Sequence, residues 1–172
     1  MNSNQLSGSS TIKEHEKENV PVRQPDNSQN TNENDENIAF VICDTCIFMH
    51  QMPDVWQILN TRNCKLYLPW KIHQELDGLK KHYDTEKAKK ARHAALNITF
   101  ILENFAQKVS CQDRLQYNEA KSLFAEEDSD DSILQAIIQL QNEKGRNVYL
   151  HTRDRVLKNK ALSNGMRLFA NL

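Results

Sequence analysis

No stretch of this 172-residue chain is apolar for long enough to cross a bilayer, and its first residues are too polar for a secretory leader. These two absences lead us to expect an intracellular protein without membrane attachment. Cysteine is scarce. Cys43, Cys46, Cys64 and Cys111 make up the whole complement and, inside a cell, read as reduced thiols and not as a disulfide framework. Large apolar side chains are nearly missing from residues 1–37, which are mostly Asn, Ser, Gln, Glu and Lys. Such a stretch cannot bury enough surface to offset its ordering entropy, so 1–37 reads as a disordered tail and 38–172 as one domain.

Neither sign of charge dominates, with 22 basic and 23 acidic residues and a net charge of −1. The balance hides a division. The tail carries three basic residues (Lys13, Lys17, Arg23) and seven acidic ones, which leaves 19 basic and 16 acidic residues in the domain. An acidic tail on a mildly basic domain does not argue against nucleic-acid binding, and the tail is a candidate docking segment for protein partners or a spacer. The Cys43–Cys46 pair has no second ligand pair at zinc-finger spacing. Cys43 also belongs to an apolar run whose exit is taken by Asp44, which argues against thioredoxin-like chemistry.

What is present is alternation. Ile38–Cys43 is a continuous apolar run, the pattern of a strand buried on both faces of a parallel sheet. Further strands are expected at Leu66–Leu68, Val148–Thr152 and Met166–Phe169. Helices are expected around Val55–Leu59, over Lys71–Lys80, from a Thr85 cap to Phe105, from Asp128 or Ser129 to Gly145, and over Arg155–Ser163. This order predicts an α/β fold, a three-layer sandwich around a mainly parallel central sheet. In such sheets ligands bind beyond the carboxyl ends of the strands.

Acidic residues recur at those ends. Asp44 follows the first strand, Glu75 lies in the second helix region, Asp130 and Asp131 open an apolar helix, and Asp154 follows the strand ending near Thr152. Each has an ordinary alternative role as a helix cap or a solvated acid. Gathered in one crevice, they would repel one another unless a divalent cation intervened, and hard oxygen donors suit Mg²⁺ or Mn²⁺. Spacing leaves Asp130 and Asp131 as alternatives, since either shares a face with Leu134.

The motifs Val41-Ile42-Cys43-Asp44-Thr45, Glu75-Leu76-Asp77-Gly78-Leu79-Lys80, Asp130-Asp131-Ser132-Ile133-Leu134 and Thr152-Arg153-Asp154, in this order, resemble a PIN domain over about 38–172. The resemblance is nearest to the eukaryotic endoribonucleases of nonsense-mediated decay and nuclear transcript surveillance, and it leans toward a nuclear location. It implies Mg²⁺- or Mn²⁺-dependent hydrolysis of single-stranded RNA. Asp44, Glu75, Asp130 and Asp154 would hold the metal, with Asp131 as the alternative to Asp130 and with Thr45 and Thr152 in support. Cys46 departs from the family pattern, which usually has Asn or Ser there.

Lys80, Lys81, Arg153 and Lys160 flank these acids and are candidates to contact RNA phosphates, whereas Lys87, Lys89 and Lys90 read more simply as a solvated helix face. A haloacid-dehalogenase-type phosphatase is argued against because it needs a second Asp two residues after the first, where this chain has Cys46. A catalytically weak or inert module that binds RNA or protein is the remaining alternative.

Overall fold

The computed structural model describes residues 38–122, 128–145 and 147–169. The proposed tail, together with residues 123–127 ahead of Asp128, lies outside the described residues. Five strands form one sheet: β1 (Ala39–Cys43), β2 (Cys64–Leu68), β3 (Val109–Cys111), β4 (Val148–His151) and β5 (Arg167–Leu168). Their spatial order is β3-β2-β1-β4-β5 and every pairing is parallel, where a mainly parallel sheet was expected.

β1 sits in the middle. Val41 faces Leu66 on one side and Tyr149 on the other, so the strand has neighbours along both edges. Val41, Ile42 and Cys43 are fully buried. A strand covered on both faces has no use for polar alternation, which is why its sequence is uninterruptedly apolar.

Seven helices are seen among the described residues: α1 (Thr45–His50), α2 (Met52–Asn60), α3 (Trp70–Leu79), α4 (Thr85–Asn104), α5 (Arg114–Ala120), α6 (Ser129–Lys144) and α7 (Arg155–Ser163). The chain moves outward from β1 to β3, then returns to place β4 on the other side of β1. Right-handed crossovers therefore carry the outward and returning helices to opposite faces, giving the three-layer α/β sandwich. The order reverses between β1 and β4, and a crevice opens beyond their carboxyl ends. Among the described residues no helix is long and apolar enough to cross a membrane.

Several boundaries differ from expectation. α4 is capped by Asp84, whose Oδ1 accepts from the amides of Glu86 and Lys87, and not by Thr85. β4 ends at His151, one residue short of the expected strand, which frees Thr152 to point its hydroxyl at a neighbouring strand end. α1, β3 and α5 had no counterpart in the sequence reading. α6 stops where expected, with Gly145 at φ 77°.

Candidate active site

Asp44 is the first residue after β1 and is only 4 % exposed. Its Oδ1 accepts from the amide of Ile47 at 2.9 Å, capping α1, and its Oδ2 accepts from the hydroxyl of Thr152 after β4. The Thr152 Oγ1 in turn accepts from the amide of Asp154 at 2.9 Å. One hydroxyl thus ties the two strand ends across the reversal point. Asp154 caps α7, its Oδ1 accepting from Val156 at 2.7 Å and Leu157 at 3.1 Å. Glu75, in the second turn of α3, accepts through Oε2 from the hydroxyl of Thr45.

Asp130 and Asp131 divide. Asp131 Oδ1 accepts from the Lys160 ammonium at 2.9 Å, and the same ammonium reaches Asp128 Oδ2 at 2.8 Å. Asp128, the cap of α6, is thereby held below the usual carboxylate range, and Lys160 above its ordinary value. The Asp130 carboxylate accepts no hydrogen bond among the described residues. Partial burial raises its pKa, with the charges of Asp128 and Asp154 adding to the rise and that of Glu75 a smaller addition. The Lys160 charge opposes this rise without bonding Asp130, whereas it bonds Asp131 directly.

Burial also raises the pKa of Asp44, against the hydrogen bonds from Thr152 and Ile47, and the Asp154 charge adds to the rise. The Cys46 thiol, exposed on α1, is pushed up first by desolvation and then by Asp44, Asp154, Glu75 and Asp130 in turn. Asp44, Asp154, Glu75 and Asp130 are thus near enough to this thiol for each to add to its shift. They form a charge-coupled ring and not a closed ligand sphere. Among the described residues no three His, Cys, Asp or Glu side chains are close enough together to hold a metal ion. The donor chemistry nonetheless fits a hard divalent cation, being all carboxylate with Asp130 carrying free lone pairs.

The flanking cations are unequally available. Lys160 is committed to Asp128 and Asp131, and Lys80 pairs with Asp77 at 2.6 Å. Arg153 is exposed and stands 3.7 Å from Asp54, and Lys81 is exposed as well. Tyr83, at the surface between α3 and α4, is 90 % exposed and lies against His82 with ring centroids 4.3 Å apart.

Two features were not found in the sequence. One is a pair behind the site, in which His151 Nε2 lies 2.9 Å from Asp54 Oδ2 and joins the end of β4 to α2. No spacing signals it, because its members are 97 residues apart. The other is a cavity of about 400 Å³ beside the acids, bordered by α1, α3 and the start of α4. It depends on α1, a helix of six residues, too short to leave a periodic trace.

No curated protein matches the chain. A family model described as PIN domain matches residues 41–170.

Proposed function

The chain belongs to the PIN-domain family, whose members are generally nucleases, and from that premise we propose that it is a divalent-metal-dependent endoribonuclease acting on single-stranded RNA. The observation that carries this reading is the Thr152 hydroxyl joining Asp44 to the Asp154 amide at the reversal point of the sheet, with Glu75 held nearby by the Thr45 hydroxyl. Mg²⁺ or Mn²⁺ would be held by these four carboxylates. When bound, such a cation lowers the pKa of water and stabilises the oxygens of an in-line phosphodiester displacement.

The protein's own residues set the geometry. Thr152 and the Ile47 amide fix both oxygens of Asp44, Thr45 orients Glu75, and the first turn of α7 locks Asp154. Asp130 alone of the four carboxylates accepts no hydrogen bond among the described residues, which leaves its oxygens available to a cation. RNA must reach this acidic crevice against its own charge, and Lys81 and Arg153 are the flanking cations best placed to draw it in. We further propose a role in RNA quality control with a nuclear lean, supported by the likeness of Glu75–Lys80 to the surveillance endoribonucleases. The acidic segment 1–37 is proposed as a docking element for protein partners.

A labelled unstructured RNA incubated with Mn²⁺ should be cut endonucleolytically, and a chelator should abolish the cutting. Asp44→Asn and Asp154→Asn should each reduce it by about 100-fold or more, in line with the weight of charge stabilisation in such sites. Undiminished cleavage in both variants would sink the mechanism. A second reading, an inert RNA- or protein-binding module, is favoured by the open ring and by Cys46 standing where the family usually has Asn or Ser. Binding of the same RNA without cleavage at any Mn²⁺ concentration would select it.

A further inference from the structure

The cavity beside the acid ring has a chemical character of its own. Thr45, Cys46 and Glu75 line both the ring and the cavity, so the two are continuous. Its volume of about 400 Å³ lies within the range of small-ligand sites. Half-buried Met49 and Leu79 supply apolar surface, and the start of α4 lines the cavity with Lys87 and Lys90 together with Asp84 and Glu86.

These lysines are one turn apart on α4 and so share a face. Among the described residues neither has an ion-pair partner, because the neighbouring acids are engaged elsewhere. Glu86 is paired with Lys89 at 2.8 Å, and Asp84 Oδ1 caps the helix. The result is an acid ring that would hold metal, an adjoining apolar slot, and then two unpaired ammonium groups. A single RNA strand repeats the complementary order of phosphate, flat base and phosphate. The flat faces of bases stack on apolar and polarisable side chains, methionine among them.

We infer that this cavity is a nucleobase subsite. It would take the base of the nucleotide beside the scissile phosphate, against Met49 and Leu79, while Lys87 and Lys90 hold the next phosphate along. The inference rests on the RNA-cleavage reading and sharpens it. A base can enter the slot only when splayed from its neighbours, so the substrate must be single-stranded at that position. It also gives Lys87 and Lys90 a role that their spacing on a charged helix conceals.

The test uses the full chain with ¹³C-methyl-labelled methionine, Ca²⁺ replacing Mn²⁺, and two probes. One is a five-nucleotide oligoadenylate and the other the same ribose-phosphate strand without bases. The oligoadenylate should shift the Met49 methyl resonance saturably and leave that of Met166, buried before β5, in place. The abasic strand should not move Met49. The double variant Lys87→Gln, Lys90→Gln should weaken oligoadenylate binding roughly three- to tenfold, as expected for lost phosphate contacts. Both lysines are exposed, so the variant should keep the parent Tm.

The inference is overturned if Met49 stays unmoved at saturating RNA, if the abasic strand moves it equally, or if no strand binds. Failure of the two readings is distinguishable. A saturable Met49 shift without any Mn²⁺-dependent cleavage upholds the subsite and removes the hydrolytic reading. Cleavage with an unmoved Met49 removes the subsite and leaves hydrolysis in place.

Discussion

Two adjacent aspartates, Asp130 and Asp131, have opposite surroundings, and substitution should separate them. Asp131 shares the Lys160 ammonium with Asp128, so Asp131→Asn removes one partner of a partly buried ion pair and should cost about 1 kcal/mol of stability. Asp130 has no such partner and is pressed by other carboxylates. Asp130→Asn should therefore leave Tm unchanged or raise it slightly, while Mn²⁺-dependent cleavage falls sharply. Thermal unfolding and the RNA assay run on both variants check the pair of outcomes, and the reverse pattern would exchange their roles. The sequence could not decide between them, because the deciding group is an ammonium 29 residues downstream of Asp131. Asp44 and Asp154 were legible for the opposite reason, since each stands at a strand exit where the topology aims it. Glu75 looked like a solvated helical acid on its own, and only the Thr45 hydroxyl shows it turned to the site.

Among the elements, two helix caps are also candidate catalytic acids. Asp44 caps α1 and Asp154 caps α7, so the choice between a capping role and a site role was never exclusive. A cap needs a side-chain oxygen, which Asn also offers, whereas a cation needs the negative charge. Asp154→Asn should thus keep most of the stability and lose cleavage, while Asp154→Ala should lose cleavage and a further 0.5–2 kcal/mol or so. Equal destabilisation by both substitutions, measured by denaturant unfolding, would contradict the capping account. Thr152→Val makes a related test. It deletes the hydroxyl joining buried Asp44 to the Asp154 amide, and leaving Asp44 without that donor should cost roughly 1–3 kcal/mol, with Thr152→Ser recovering most of it. β1 was readable from its unbroken apolar run, and α6 because apolar period and burial agree over sixteen residues. The short ones α1 and β3 left too few residues to show a period, although α5 carries a capping box at Asp113 and Gln116 that marks its start.

At the scale of the molecule, function and stability pull against each other through the acid ring. Burial, aided by neighbouring carboxylates, raises the pKa of Asp44 and of Asp130. A carboxyl with a raised folded-state pKa binds its proton more tightly when folded. Its contribution to stability is complete below the ordinary carboxylate value and is lost as pH rises through the raised value. Asp128, shifted downward by Lys160, has the opposite sign: its contribution is present above the ordinary value and is lost as pH falls through the lowered one. In chelator, the ring should therefore favour the folded state as pH falls from neutrality toward the ordinary carboxylate value, and lower pH should then unfold the protein. The diagnostic quantity is the difference between parent and Asp130→Asn, in which the contributions of all other groups cancel. The variant should show a shallower rise of Tm on acidification, because one of the two raised groups is gone. A divalent cation supplies the missing charge without acid. Mn²⁺ at 100 times its Kd should stabilise the parent by about 2.7 kcal/mol, and at a fixed concentration by less at lower pH, where protons compete for the same oxygens. Asp44→Asn should shrink this Mn²⁺-dependent rise in Tm. An equal rise in parent and variant would place the cation away from the ring and leave its mutual repulsion without a functional reason.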